Sequence, residues 1–270
     1  RSSLMTLLQS GLAKSLAEAG YTIDQSLRFN DGDSAYLART PSSDGNRKTW
    51  TFSTWVKRGN LGTRQIIFAA KEVSLSKRFY FEINSSDKIE LSDWTWGPGY
   101  DFRLITTPVY RDVGAWYHIV FKFDSTPVTP SSSSVSLYVN GEQVTDFDTE
   151  DYPSQNDEPS INCDEQHTIA ARAAPSDAYY DGYLAEVHFI DGTALDADSF
   201  GETDSDTNQW KPIEYTGSYG TNGFYQKYGS TSNTYTEPTN AFTNDAYTSM
   251  LLHMDGSDDA ALFPDSSSSG

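Results

Sequence analysis

The chain has 270 residues, 19 Lys and Arg against 38 Asp and Glu, and a formal net charge of −19. That charge opposes binding to a phosphate backbone, whose affinity is supplied by cations, and no run approaches the 18 apolar residues of a membrane-spanning helix. Hydrophobic residues make up 37% and aromatics 14%, enough apolar surface to build a core and to exclude a disordered acidic chain.

Leu4, Leu8, Leu12 and Leu16 recur every four residues, with Leu7 and Ala19 near the same face. Ser2 or Ser3 can cap the start and Gly20 the end, so the spacing predicts a short amphipathic helix over 4–19 within an N-terminal unit 1–21. Ala17-Glu18-Ala19 mimics a secretory cleavage site, but Gln9, Gly11 and Lys14 interrupt the apolar stretch. A helix this short is marginal alone, so its leucines are expected to dock on a partner or on the body.

From Thr22 the helical period gives way to short alternating runs: 26–29, 50–57, 65–69, 78–83, 88–91, 116–123, 135–139, 143–145, 167–171 and 183–190. Asn140-Gly141 is the signature of a tight hairpin turn. About ten such strands with turn chemistry between them, and no helical crossovers, predict antiparallel sheets packed as a sandwich. Residues 116–123 are apolar on both faces, so that strand is expected to be covered on both sides or to sit near another element. His118 is expected at the core edge, bonded to backbone.

The ordered set Leu27-Arg28-Phe29-Asn30-Asp31-Gly32, Thr51-Phe52-Ser53-Thr54-Trp55-Val56, Trp116-Tyr117-His118-Ile119-Val120, Leu137-Tyr138-Val139-Asn140-Gly141 and Asp181-Gly182-Tyr183-Leu184-Ala185-Glu186-Val187 resembles a laminin-G-like domain over about 24–200. That resemblance implies an all-β, concanavalin A-like jelly roll. More narrowly, residues 182–192 with Phe200-Gly201-Glu202, Trp210-Lys211-Pro212 and 219–224 are similar to such domains in structural proteins of tailed bacteriophages. The implied role is a virion component, exterior to the particle or tail, attached to other virion proteins through the N-terminal helix and assembled as a homo-oligomer. The organisation expected is therefore the helix, a sandwich over 22–200, an extended Tyr-, Gly-, Asn- and Thr-rich segment over 201–249, and residues 250–270 resembling the start of a second laminin-G-like unit.

The search for chemistry begins with Cys163, the only cysteine, which excludes an intramolecular disulfide and a Cys-based zinc site. His118, His167, His188 and His253 show no metal-ligand spacing. Paired carboxylates for glycoside hydrolysis must share a face. Glu186 and Asp191 are five apart, so a regular strand sends them to opposite faces, and no other catalytic motif is present. The resemblance gives Glu186 a supporting role toward a loop.

No cofactor is fixed by the sequence. The ion that the resemblance implies is calcium at a loop rim, for which Asp31, Asp33 and Asp181 supply hard oxygens. Asp204, Asp206 and Asn208 alternate as in a calcium loop, but Gln209 and Tyr215 stand where that loop needs Gly and Glu; Asp-rich turns without metal are the competing reading. For carbohydrate, Trp94 and Trp96 share a face in a loop that ends at Tyr100, and Tyr179-Tyr180 form a second rim. Their exposed rings would stack on sugars; buried, the same indoles would plug the sandwich edge or seal a subunit contact. Between Gly141 and Asp206 there are 18 acids and one base, Arg172, read as a solvated face. The expectation is a non-enzymatic virion structural protein; a lectin-like module for host surface glycans and a polysaccharide-cleaving enzyme are the alternatives.

Overall fold

A computed structural model describes residues 20–173, 177–228, 243–244 and 251–253. The helix expected around Leu4, Leu8, Leu12 and Leu16 lies outside the described residues. In chain order the strands are β1 (Gln25–Phe29), β2 (Leu37–Arg39), β3 (Thr49–Arg58), β4 (Gln65–Glu72), β5 (Lys77–Ile83) and β6 (Ile89–Thr95). Next come β7 (Gly99–Thr106), β8 (Tyr117–Asp124), β9 (Val135–Val139), β10 (Glu142–Gln143), β11 (Phe147–Asp151) and β12 (His167–Ile169). The last are β13 (Gly182–Asp191), β14 (Gly201–Thr203), β15 (Trp210–Pro212), β16 (Phe224–Gln226), β17 (Thr243–Asn244) and β18 (Leu251–His253).

Two antiparallel sheets stack face to face, as expected for a sandwich. The first runs β10-β9-β8-β3-β13-β1-β18, with β16 also on β13; the second runs β11-β7-β6-β5-β4-β12-β2-β17. Between them lies a core dominated by rings, because alternate positions of each strand point inward. Trp50 stacks on Phe123 of the neighbouring strand at 4.9 Å, and Phe52 stacks on Phe68 across the two layers at 4.8 Å. Burying each such side chain contributes about 1.5–3 kcal/mol.

The sandwich has a third layer. Val120 and Ile190, on the outer face of the first sheet, are covered by Ala197, Phe200, Trp210, Tyr215 and Tyr219 from the segment after β13. This explains why β8 and β13 are apolar on both faces. Trp210 lies against Gly141 and Gly201, where a Cβ would come within 2.4 and 2.5 Å of the indole. Gly141 also has φ +82° after Asn140 at φ +50°, the conformation expected of the Asn-Gly turn. His118 is fully buried but is held by side chains: Trp210 Nε1 donates to its Nδ1 at 2.9 Å, and its Nε2 meets Ser53 Oγ at 2.9 Å. The backbone partner expected for it is thus replaced by the covering tryptophan.

β13 carries a bulge between Ala185 and His188, with Glu186 at φ +50°. The bulge divides one edge of β13 between β1, which pairs with Gly182–Leu184, and β16, which pairs with Val187–Phe189. Glu186 accepts from Tyr21 and Tyr225 hydroxyls, whereas Asp191 accepts from the Asn46 and Asn222 amides, so the two carboxylates serve separate networks. At the C-terminal end, Leu251–His253 of the expected second unit pairs antiparallel with β1 of this same sheet. No helix among the described residues is long and apolar enough to cross a membrane.

Candidate functional site

The stretch 94–100 is a hairpin rather than a free loop. β6 runs through Trp94 to Thr95, Trp96-Gly97-Pro98 turns, and β7 begins at Gly99. The cross-strand register therefore decides what Trp94 faces. On the outer face of the second sheet, β5, β6 and β7 set Arg78 beside Trp94 beside Tyr100, then Tyr80 beside Ser92 beside Arg103, then Glu82 beside Glu90 beside Ile105. The small side chain of Ser92 lies in the middle of this surface. Arg64, just before β4, and Arg172, after β12, close its far side around a cavity of about 360 Å³. A second cavity of about 160 Å³, lined by Lys71, Lys77, Arg78 and Trp96 among others, adjoins it through Trp94.

Glu82 and Glu90 are direct cross-strand neighbours, a repulsive arrangement unless cations intervene. Arg64 grips Glu82 with Nε at 2.8 Å and Nη2 at 2.5 Å. Arg103 Nε donates to Glu90 Oε1 at 2.8 Å, and Asn84 Nδ2 reaches Oε2 at 3.2 Å. Burial pushes the Glu82 carboxyl above its ordinary range, against the pull of Arg64. The arginines also lie over rings: Arg103 is 4.4 Å from the Tyr100 centroid, Arg64 4.9 Å and Arg172 5.7 Å from that of Tyr80. Arg172 Nε donates to the Tyr80 hydroxyl at 3.1 Å. The result is a rigid floor of aromatic faces and oriented guanidinium forks, suited to stacking on a flat ligand and hydrogen bonding its rim.

Trp94 and Tyr100 line this groove, as does Trp96 in its smaller half, where it stands 75% exposed and edge-on to Trp94 at 5.5 Å. The second expected rim does not form. Tyr180 is fully buried in the core against Phe29, its hydroxyl donating to Lys57 O at 2.8 Å. Tyr179 is half-buried, tilted against Tyr36 at 6.4 Å. Tyr80, Arg64, Glu82, Glu90, Arg103 and Arg172 were not read from the sequence as parts of a site. The available signal was the polar alternation of β5 and β6, whose acids are brought opposite only by the turn at 84–88.

The acids considered for calcium do not form a cation cage. Arg28 Nη2 takes Asp181 Oδ1 at 3.1 Å, Asn60 donates to Asp31 at 3.0 Å, and Asn30 to Asp33 at 2.6 Å. Asp204 caps its own turn, accepting from the Asp206 and Thr207 amides while Lys211 holds Oδ2 at 3.1 Å. These bonds hold its carboxyl well below the ordinary range. Asn208 sits at φ +56° at the close of that turn. Among the described residues no three His, Cys, Asp or Glu side chains converge on one point. A larger cavity of about 450 Å³, bordered by 21–26, Trp55, Trp116, Ala185 and Pro212, lacks any comparable array of oriented charge.

A family model of laminin-G type, described as the concanavalin A-like lectin/glucanases superfamily, matches residues 30–199. No curated protein matches the sequence significantly. Among solved structures, the chain is similar in fold to the native heptameric SAP-like pentraxin of Limulus polyphemus, at 12% identity and a TM-score of 0.45 over 65% of this chain and 80% of that one. It is also similar to domains LG4-5 of the mouse laminin alpha1 chain, at 10% identity and 0.45 over 82% of this chain and 51% of that one. A third likeness is to the CBM40 of the Ruminococcus gnavus IT-sialidase bound to alpha2,3 sialyllactose, at 12% identity and 0.45 over 64% and 92%. With the family model spanning more than half its length, the chain belongs to the concanavalin A-like lectin/glucanase superfamily.

Proposed function

We propose that the protein is a non-enzymatic carbohydrate-binding module whose ligand lies on the outer face of the second sheet. The observation that carries this reading is the groove itself: Trp94, Trp96, Tyr80 and Tyr100 offer ring faces, and Arg64, Arg103 and Arg172 offer planar donors, all on strands or strand ends. Sugars need both, an apolar ring face and directional polar contacts to hydroxyls. Family membership supports the same reading, since lectins and glucanases share this fold. Glu82 and Glu90 are bound by donors on both oxygens, a state suited to orienting arginines more than to delivering a proton in glycoside cleavage.

Binding to a glycan array, followed by titration of the best ligand, tests this. Trp94→Ala is expected to weaken binding about tenfold or more, the equivalent of about 1.4 kcal/mol, with an unchanged melting temperature. Wild-type affinity in Trp94→Ala sinks the site. Release of reducing ends, abolished in Glu82→Gln, would make the protein an enzyme instead. A second reading places this module on a virion appendage. The segments similar to phage structural proteins lie together: 182–191 is β13 of the first sheet, and Phe200, Trp210 and Tyr219 of the other segments pack over its outer face. Deleting residues 1–20 is expected to strip the protein from particles, and full occupancy of the deletion variant would refute attachment through that segment.

A further inference from the structure

The charge of the groove is opposite to that of the molecule. Six of the 19 Lys and Arg line the two adjoining cavities, namely Arg64, Lys71, Lys77, Arg78, Arg103 and Arg172, but only three of the 38 Asp and Glu do. An even scatter of charge over a chain of net −19 would put twice as many acids as bases there. Arg172 sharpens the point: it is the one base among 18 acids between Gly141 and Asp206, and the fold delivers it to this groove.

Part of that positive charge is already matched. Glu82 holds Arg64 and Glu90 holds Arg103. Lys77 is taken up by Asp93 and Asp101, and Glu72 by Arg47. What remains is Lys71 and Arg78, with no ion pair among the described residues, and Arg172, with only an exposed contact to Asp177 at 3.4 Å. Arg172 is also anchored over the Tyr80 ring and through its hydroxyl, so its fork is oriented before a ligand arrives.

Resting on the glycan-binding reading, we infer that the groove selects an anionic saccharide, one bearing a carboxylate or sulfate group that meets Arg172 while a sugar ring stacks at Trp94. Trp94 borders both cavities, so a ring over its indole places substituents toward the arginines on one side and toward Lys71 and Arg78 on the other. The rest of the surface limits the ligand. A chain of net −19 repels a dense polyanion at long range, whereas a saccharide with one or two charges gains the local attraction.

The test is an array of matched pairs, each uronate-bearing or sulfated oligosaccharide beside its neutral parent, followed by titrations with wild type, Arg172→Gln, Arg172→Lys and Trp94→Ala. The acidic members are expected to bind at least tenfold tighter than their parents. Arg172→Gln should lower the affinity for the acidic members about tenfold more than that for their neutral parents, with Arg172→Lys recovering part of the difference. The uronate and sulfate arms show which anion is accepted. Parents that bind as tightly as acidic members, or an Arg172→Gln variant at wild-type affinity for the acid, overturn the inference. If such neutral binding still depends on Trp94, the groove survives as a glycan site and only its charge selectivity falls; if no member binds, both fall.

Discussion

The tryptophan that seals the outer cover of the first sheet also sets how the protein responds to acid. Trp210 Nε1 donates to His118 Nδ1, which requires a lone pair there and leaves the ring proton on Nε2 for Ser53 Oγ. His118 is further stacked on Trp55 at 4.8 Å and has 1% of its surface exposed. Burial, with the nearby His188 adding to it, lowers its pKa from 6.5 to about 3. The unfolded chain therefore takes up a proton near pH 6.5 that the folded chain refuses. Stability from this group is complete above pH 6.5 and drains away as the pH falls toward 3.

At pH 5 the loss from His118 is about 1.5 pH units at about 1.4 kcal/mol each, or about 2 kcal/mol. His167, lowered by burial to about 4, adds a similar amount, and Asp93, raised by burial to about 6, returns about 1 kcal/mol because its folded form takes up the proton first. The perturbation is His118→Gln, read by urea unfolding at pH 7 and pH 5. The variant is less stable than wild type at pH 7, but its stability should fall by about 2 kcal/mol less between the two pH values. An unchanged pH dependence in the variant would refute the neutral, tryptophan-capped histidine.

Two further outcomes follow from buried groups. Asp87 receives Arg58 Nη2 at 3.1 Å, the Gly62 amide at 2.8 Å and Arg111 Nε at 2.8 Å, and the Arg58 side chain is wholly buried. Asp87→Ala leaves that guanidinium unpaired and should cost about 3–5 kcal/mol, lowering Tm by on the order of 10 °C in calorimetry; a shift of under a degree contradicts the pairing. The Cys163 thiol is buried, donates to Ser160 O at 3.0 Å, and has its pKa pushed up by burial to about 11. It should resist a thiol reagent at pH 8 in the native protein and react fully in urea, and rapid native labelling contradicts its burial.

Much of the architecture was legible because its determinants are local. Alternation in 50–57, 78–83 and 183–190 reads directly as strands β3, β5 and β13, and Asn140-Gly141 reads as the turn between β9 and β10, since side-chain period and positive φ are properties of neighbouring residues. β7 escaped that reading because Gly97-Pro98-Gly99 suggests a loop, and only pairing with β6 reveals a hairpin. The apolar outer face of β8 pointed to a cover, yet nothing local named Phe200, Trp210 and Tyr219 as the residues that supply it.

The groove divides in the same way. Trp94, Trp96 and Tyr100 were conspicuous as aromatic residues beside a turn, but Tyr180 was not distinguishable from Tyr179, although one lies in the core and the other is half-buried. Arg172 looked like a stray base on a solvated face. Only the register that sets Tyr80 beside Ser92 beside Arg103, and the return of the chain after β12, make it part of the groove. Sequence by itself determined strands such as β3, β5 and β13, because alternation depends on residues two apart. Tertiary structure decided which rings are buried and where opposite charges meet, because those depend on residues tens of positions apart.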